Sequence, residues 1–268
     1  MKINFIYSIL ICCTLASELK VLTYNIHALS PFIAGDDPHG RIPKILSGSS
    51  ENNIIFFQEN WIFSDKYFNR QLPEHQIIKS KTSKFFWPFN NSSGLTLAIS
   101  DSIKILETND VSYGSCSGWI SKDNDCLATK GFQHVRIEID GDMVDLYNTH
   151  LDAGNSRSDI ETRRLQIKQL ESYAIKNSAG IAVIIAGDLN VSSESDEFSA
   201  VLSLCAALGV SVADWVGAEA DSPFGKLDYI LYRGSLDTVI ELNKCSVDSR
   251  LNGLSDHPPI KASFNYTR

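Results

Sequence analysis

The chain has 268 residues, of which 43% are hydrophobic, and its formal net charge at pH 7 is −8. This length supports one large domain with a sizeable core or two small ones, and the lack of repeats and of Pro- or Ser-rich linkers favours one. The acidic balance provides no broad attraction to phosphate backbones, which argues mildly against a tight nucleic-acid binder. It does not exclude an enzyme that contacts nucleic acid briefly, with metal ions supplying the positive charge.

The N-terminal segment differs from the rest of the chain. Lys2 is followed by a mainly apolar stretch from Ile3 to Leu15 and then by Ala16-Ser17, a pattern typical of a secretory signal peptide cleaved after Ala16. Roughly 13 apolar-dominated residues are too few to span a bilayer comfortably, so a membrane anchor is the weaker interpretation. We predict a signal peptide over residues 1–16, a single domain over residues 17–268, and secretion of the mature chain.

Four cysteines would remain in the mature chain: Cys116, Cys126, Cys205 and Cys245. An even number of cysteines in an exported protein predicts disulfides. We expect Cys116–Cys126 to close a local loop and Cys205–Cys245 to form the second bridge, although four cysteines allow three connectivities.

Many short strand patterns and few helical patterns follow the leader. The predicted strands are Leu19–Tyr24, Ile54–Gln58, Leu95–Ser100, Ile103–Leu106, Phe132–Ile139, Met143–Asn148, Leu227–Tyr232 and Pro258–Phe264. Asp140-Gly141-Asp142 is a turn signal that joins two of them into a hairpin. The predicted helices are Arg41–Glu51, Ser158–Asn177 and Asp196–Leu208. This pattern indicates two packed sheets with helices on the outside.

The central strand is predicted over Ile181–Val191, which reads IAVIIAGDLNV. A short apolar run rich in β-branched residues and ended by glycine is typical of a strand buried on both faces. The two-residue repeat of a strand would place Asp188 and Asn190 on one side and Leu189 on the other. The alternative interpretation is a strand-ending turn that favours Gly, Asp and Asn.

Polar side chains recur where predicted strands end. Any one of them has an ordinary structural explanation, but eight such groups on separate strand exits are hard to explain as unrelated turns. They are Asn25, Glu59, His150, Asp188, Asn190, Asp228, Asp256 and His257. Carboxylate and amide oxygens suit a hard cation such as Mg²⁺ or Mn²⁺. Together with histidine, such a cation fits metal-assisted attack of water on a phosphate ester.

The motifs that carry these residues resemble a known superfamily. TYNIH, FFQE, YNTHLDAG, IIAGDLN, KLDYIL and LSDHPPI occur in the order seen in the endonuclease/exonuclease/phosphatase superfamily. That superfamily includes deoxyribonuclease I, the apurinic endonucleases, the neutral sphingomyelinases and the inositol-polyphosphate 5-phosphatases. The resemblance runs from about Leu19 to Phe264. It implies a deoxyribonuclease I-like four-layer sandwich, in which helices flank two packed, mostly antiparallel β-sheets.

The resemblance also implies roles for the polar residues. Glu59 would bind the divalent metal, with Asn25 and Asp256 close by. Asp188 would activate or orient the attacking water, and Asn190 would hold a phosphate oxygen. Asp228 would orient His257 at the scissile phosphate, with His150 as a second imidazole. Related enzymes often carry a glutamate where this chain has Asn90–Gly94, so the resemblance leaves open whether one or two metal ions bind.

The fragment THLDAG, the pair Lys130-Gly131 and the leader are most similar to the neutral sphingomyelinase-type branch. The aromatic cluster Phe85, Phe86, Trp87 and Phe89 is either core or a membrane-facing surface. We expect a secreted, monomeric, Mg²⁺-dependent phosphodiesterase that acts on a phospholipid such as sphingomyelin at a membrane surface. The alternatives are a secreted nuclease of the deoxyribonuclease type, and a non-catalytic effector or binding module on the same fold.

Overall fold

The computed structural model arranges the chain's strands in two six-stranded sheets and a separate two-stranded hairpin. The structure describes residues 17–29, 31, 35, 37–61, 65–81, 83–86, 89–118, 125–215 and 226–267. The predicted signal peptide lies outside the described residues, as do the side chains of the predicted aromatic cluster. Within these ranges, no helix is long and apolar enough to cross a bilayer.

The first sheet is built around the N-terminal strand. Its members are β1 (Ser17–Ala28), β2 (Ile54–Asn60), β3 (His75–Lys79), β6 (Thr96–Ser100), β13 (Val239–Val247) and β14 (Ile260–Thr267). They lie in the spatial order β13-β14-β1-β2-β6-β3. Only β1 and β2 are parallel, and the other neighbours in this sheet are antiparallel.

The second sheet contains the predicted central strand. Its members are β7 (Lys104–Ser112), β8 (Gly131–Ile139), β9 (Asp142–His150), β10 (Ala182–Asp188), β11 (Ser211–Val212) and β12 (Asp228–Arg233). They lie in the order β11-β12-β10-β9-β8-β7, with β9 and β10 as the parallel pair. The separate hairpin consists of β4 (Ser83–Phe86) and β5 (Phe89–Ser92).

Helices cover the outer faces of both sheets. They are α1 (Pro38–Ser49), α2 (Asp65–Gln71), α3 (Arg157–Asn177) and α4 (Phe198–Leu208). One apolar cluster lies between the sheets, a second joins α3 and α4 to the second sheet, and a third joins α1 and α2 to the first. Along β10, Ala182 and Ile184 face the inter-sheet cluster whereas Val183 and Ile185 face the helices. This alternation confirms the four-layer arrangement.

The structure confirms most predicted elements and adds five strands and one helix, including the short strands β4, β5 and β11. The predicted hairpin exists as β8 and β9, and Asp140 and Gly141 at its turn both have positive φ, 52° and 91°. Strands β3 and β13 and helix α2 were not predicted. Asn90, where related enzymes often carry a glutamate, lies in β5. An extended edge strand such as β13, with charged and apolar residues in irregular order, gives no clear period-2 signal.

The predicted disulfides are half right. Cys116 and Cys126 form a disulfide, whereas Cys205 and Cys245 are both free and buried. The prediction of a Cys205–Cys245 bridge is wrong because the two residues belong to different layers. Cys205 packs in the cluster outside the second sheet, and Cys245 packs between the two sheets. The second sheet separates these clusters, and a disulfide needs Cα atoms closer than about 7 Å.

Candidate active site

Three neighbouring strand ends bring His150, Asp188 and Asp228 together. The register sets Asp188 opposite His150 on one side of β10 and opposite Asp228 on the other. The parallel strands β9 and β10 end at the same edge of the sheet, and the antiparallel strand β12 begins there. All three side chains are buried. A polar group of this kind at one strand end is ordinary, but three in register form a site.

Gly187 allows β10 to bring Asp188 to this edge. Its φ is +150°, and a Cβ atom at this position would lie 1.9 Å from the carbonyl oxygen of Thr149. Only glycine permits such a close approach of two backbones. The Gly-Asp pair is therefore a packing requirement of the sheet as well as the end of a strand.

His257 forms a dyad with Asp228 beside Asp188. Its Nδ1 lies 2.8 Å from Oδ2 of Asp228, and its Nε2 lies 3.7 Å from Oδ2 of Asp188. Burial lowers the pKa of His257, but the carboxylates of Asp228 and Asp188 outweigh burial and raise it to about 11. The imidazole is therefore held as a cation, with Nε2 turned away from its orienting carboxylate.

Asn25 connects two carboxylates from different sheets. Its Nδ2 donates hydrogen bonds of 3.0 Å to Oε1 of Glu59 and 3.0 Å to Oδ2 of Asp188. Burial raises the pKa of Glu59 and also the pKa of Asp188, above their ordinary values. Glu59 also has a left-handed backbone, with φ of 55°. A non-glycine residue rarely adopts this strained conformation, which is found most often at functional sites.

Lys130 is a buried cation that the sequence reasoning did not place in the site. Its Nζ lies 2.8 Å from Nε2 of His150, 2.9 Å from the carbonyl oxygen of Leu151 and 3.3 Å from Oδ1 of Asp125. Burial, followed by the charge of Lys130, lowers the pKa of His150 well below its usual value. His150 is therefore neutral, and Nε2 is the acceptor for Lys130. The local cations are Lys130 and His257.

Asn190 and Asp256 lie at the periphery of this group. The backbone of Asn190 has a φ of 50°, and its Nδ2 donates to the carbonyl oxygen of Leu151 at 3.0 Å. One N–H and the amide oxygen of Asn190 are left for other partners. The Asp256 carboxylate is exposed and lies 3.9 Å from Nε2 of His27, next to Ser255, whose hydroxyl donates to the carbonyl oxygen of Asn25 at 2.8 Å.

The structure thus gathers all eight predicted residues at one edge of the two sheets. Seven of them are linked to one another by direct contacts or through Leu151: Asn25, Glu59, His150, Asp188, Asn190, Asp228 and His257. Asp256 adjoins His257 in sequence and meets the segment of Asn25 through Ser255. Several of these contacts join a residue of one sheet to a residue of the other.

The donor set fits a divalent cation. The site holds four carboxylates (Glu59, Asp188, Asp228 and Asp256), of which the His257 imidazolium contacts Asp188 and Asp228, whereas Lys130 is paired with Asp125. Oxygen ligands suit Mg²⁺ and Mn²⁺. Oδ1 of Asp228 is buried without a hydrogen-bond partner among the described residues. Ligand atoms of Asp188, Asp228 and His257 also lie within 4.8 Å of one another. Because His257 and Asp228 are already hydrogen bonded, we interpret this trio as an imidazole–carboxylate dyad beside a third carboxylate.

Lys130 could have been found from strand pairing. It precedes Gly131, which is in register with His150 on the adjacent strand. A long side chain at this point reaches the end of the neighbouring strand. The prediction of the hairpin already contained this register, and the pair Lys130-Gly131 was noted only for its resemblance to the sphingomyelinase-type branch, without a role in the site.

Comparisons with known proteins identify the family of this chain. Residues 22–257 match the family model described as Endonuclease/Exonuclease/phosphatase family. The chain belongs to this family. Among curated relatives, the chain is 28% identical over 288 aligned positions to a sphingomyelinase of Mycobacterium bovis, covering 94% of this chain and 54% of the relative. The chain therefore spans about half the length of that relative.

Solved structures agree in fold. A magnesium-bound double mutant of beta toxin from Staphylococcus aureus has a TM-score of 0.70 at 22% identity, covering 94% of this chain and 100% of the other. Sphingomyelinase C from Streptomyces griseocarneus has a TM-score of 0.69 at 20% identity, covering 93% and 100%. These matches confirm the predicted deoxyribonuclease I-like sandwich.

Proposed function

We propose that this protein is a secreted, divalent-metal-dependent phosphodiesterase that hydrolyses a phospholipid of the sphingomyelin type. The observation that carries the proposal is the buried group in which Asn25 bridges Glu59 and Asp188 while the His257–Asp228 dyad faces the same carboxylate. This group combines an oxygen-rich cation site with an imidazolium. Such a combination suits hydrolysis of a phosphate ester.

Each residue has a task that follows from its contacts. Glu59, Asn25 and Asp256 would hold Mg²⁺ or Mn²⁺, which when bound neutralises charge on the phosphoryl oxygens. Asp188 accepts a hydrogen bond from the attacking water and orients it. Nε2 of His257 and Nζ of Lys130 donate to oxygens of the phosphate, and the free N–H of Asn190 adds a third donor. Preorganised donors of this kind stabilise the charge of the transition state.

The proton balance is simple in this arrangement. Water forms the new P–O bond and gives up one proton to the Asp188 carboxylate. The P–O bond to the alcohol breaks, and the leaving oxygen takes a proton from the His257 imidazolium. Asp228 keeps the ring oriented throughout and stabilises its charge. Neutral His150 fixes Lys130 in place and does not donate a proton.

The choice of lipid as substrate rests on the relatives. The sequence alignment with a sphingomyelinase and the structural match to sphingomyelinase C support a phosphodiester whose leaving group is a lipid alcohol. The leader sequence and the Cys116–Cys126 disulfide support export, because disulfides persist outside the reducing cytosol. We propose that the enzyme works as a monomer.

The decisive experiment offers the purified protein two substrates, sphingomyelin vesicles and plasmid DNA, with Mg²⁺ or with EDTA. We expect sphingomyelin to release its phosphorylated headgroup when Mg²⁺ is present and not when EDTA is present. Cleavage of DNA without lipid hydrolysis would replace the proposal with a nuclease of the deoxyribonuclease type. No hydrolysis of either substrate with Mg²⁺ present would favour a non-catalytic module.

A matched pair of histidine variants controls for contaminating activity. His257→Ala removes the proposed acid. His75→Ala removes a half-buried imidazole whose Nε2 contacts the carbonyl oxygen of Asn52 at the opposite edge of the first sheet. His257→Ala must lose the activity, and His75→Ala must retain it. If both variants hydrolyse equally, the activity does not belong to this site.

A further inference from the structure

Arg41 of α1 joins two chain segments that carry proposed metal ligands. Its Nη1 donates to the carbonyl oxygens of Ile26 (2.5 Å) and Leu254 (3.3 Å), and its Nη2 donates to the carbonyl oxygen of His27. One guanidinium group therefore holds the exit of β1, which follows Asn25, against the loop that precedes Asp256. All three of these hydrogen bonds are to backbone carbonyl oxygens.

The two segments need these hydrogen bonds from Arg41 because regular strand pairing ends at the exit of β1. The β1–β2 register shifts between Asn25 and Ala28. His27 has a φ of 45°, a left-handed conformation that is uncommon for a residue other than glycine. The backbone N–H of His27 is bound by the side-chain oxygen of Asn25. The strained turn is thus fixed at its N–H by Asn25 and at its carbonyl by Arg41.

Further hydrogen bonds hold the loop that precedes Asp256 against β1. Ser255 donates its hydroxyl to the carbonyl oxygen of Asn25 at 2.8 Å, and Tyr24 donates to the carbonyl oxygen of Leu251 at 3.0 Å. With Arg41, these bonds set the spacing between Asn25 and Asp256. Arginine suits the role because its planar group presents five donors in a fixed fork, whereas a lysine ammonium is a point charge on a flexible stem.

We propose that Arg41 is a positioning residue for the divalent-metal site, acting through the backbone of Ile26, His27 and Leu254 to hold Asn25 and Asp256 at the spacing that binds the ion. This inference rests on the proposed function, because it assumes that Asn25, Glu59 and Asp256 bind the metal. In this proposal Arg41 is not itself a ligand of the ion.

The test measures Mn²⁺ binding without any substrate. The electron paramagnetic resonance signal of free Mn²⁺ is followed during titration of the full chain and of Arg41→Ala and Arg41→Lys. Groups that orient metal ligands typically contribute about ten- to a hundredfold to affinity, so we expect Arg41→Ala to bind Mn²⁺ about tenfold more weakly or worse. Arg41→Lys keeps the charge and should recover little of the affinity. Millimolar guanidinium ion should restore part of it in Arg41→Ala.

Arg136→Ala is the matched control. Arg136 is also partly buried and also donates to a backbone carbonyl oxygen, that of Asn177, but it lies on the outer face of the second sheet. Its removal should leave the Mn²⁺ affinity unchanged, and guanidinium should have no effect. If Arg41→Ala folds poorly, Arg41→Lys alone decides the question, because a charge-only role would leave its affinity at the parent value.

The outcomes separate this inference from the proposed function. If the parent binds Mn²⁺ and both Arg41 variants bind it equally well, the positioning role is wrong while the metal site stands. If Arg136→Ala weakens binding as much as Arg41→Ala and guanidinium rescues neither, the effect is general loosening and the inference is also overturned. If the parent binds no Mn²⁺, the proposed function fails, and the role of Arg41 fails with it.

Discussion

Two clusters beside the second sheet contain the same residue types, but their buried carboxylates differ in pKa. The catalytic-edge cluster contains Asp188, Asp228, His257 and Lys130. The outer-face cluster contains His134, Arg136, Asp145 and Ser178, where Asp145 accepts two bonds from Arg136 and one from Ser178, and lies 3.1 Å from Nε2 of His134. Both clusters bury a carboxylate beside a histidine.

The difference lies in how each carboxylate is compensated. Burial raises the pKa of Asp145, but the hydrogen bonds from His134, Arg136 and Ser178 outweigh burial and lower it to about 2. Burial raises the pKa of Asp188 to about 6, because the charges of His257 and Lys130 and the hydrogen bond from Asn25, which lower it, do not offset burial and the Asp228 carboxylate. Asp145 is therefore fully balanced by protein donors, whereas Asp188 lies among excess negative charge that a cation would balance. A buried carboxylate whose pKa stays raised, such as Asp188, indicates a functional site. A buried carboxylate whose pKa is lowered by protein donors, such as Asp145, indicates a structural role.

The largest expected effect is on turnover at the catalytic edge. His257→Ala or Asp188→Ala should lower kcat roughly 10³- to 10⁴-fold, because the proton donor or the orienting carboxylate is lost. The unfolding free energy should stay near that of the parent in Asp188→Ala, where a crowded carboxylate is removed, and should fall in His257→Ala, where buried Asp228 loses its cationic partner. Steady-state hydrolysis and urea unfolding of the same preparations test both statements. Turnover within a few-fold of the parent would remove that residue from its role.

Asp145→Asn should have the reverse effect. Removing one partner of a buried ion pair costs about 3 kcal/mol or more, and Arg136 and His134 would lose their carboxylate. We expect a large drop in unfolding free energy with kcat per folded molecule close to the parent value. A loss of turnover larger than the loss of folded protein would mean that the outer-face cluster also serves the reaction.

Lys130→Met tests whether the cation beside His150 is catalytic. Methionine keeps the length of the buried stem and removes the charge. Removing one donor from a charge-stabilising site costs about a hundredfold in kcat, so we expect a loss of this size. His150→Gln should lower activity less, because the neutral imidazole only holds Lys130. If His150→Gln is the more damaging change, the assignment of the cation is reversed.

The pH dependence of stability should report Asp145. Its pKa is lower in the folded protein, about 2, than the unfolded value of about 3.9. The Asp145 carboxylate therefore contributes fully above about pH 5 and loses its contribution, about 2 to 3 kcal/mol in all, as the pH falls through 2 toward about 1. The stability difference between the parent and Asp145→Asn should shrink between pH 6 and pH 3. A difference that is constant over this range would contradict the low pKa.

Local sequence patterns predicted the sheets and most of the polar residues that meet at the edge of the two sheets. Strand exits were recognisable because apolar runs end abruptly at Asn25, Glu59 and Asp188, and the resemblance ordered them into one site. The Gly187–Asp188 pair was visible in the sequence, but its packing reason, the close approach to Thr149, depends on a neighbouring strand. Side-chain chemistry was therefore predictable where one strand carries both the signal and the residue.

Features that depend on pairing between distant segments were missed or misjudged. Lys130 reaches His150 only because β8 and β9 are in register. The role of Arg41 depends on two loops that meet in space. Cys205 and Cys245 were paired by elimination, and the layer that separates them has no trace in either local sequence. Sequence spacing carries no information about which side of a sheet a distant residue occupies.

Magnesium-linked stability tests the central contrast most directly. A ligand that binds only the folded state at about 100 times its Kd adds about 2.7 kcal/mol. Mg²⁺ near saturation should raise the unfolding midpoint of the parent and of Asp145→Asn by similar amounts, and should raise that of Glu59→Gln far less. An equal rise in Glu59→Gln, or none in the parent, would contradict the account of the catalytic edge as a cation site.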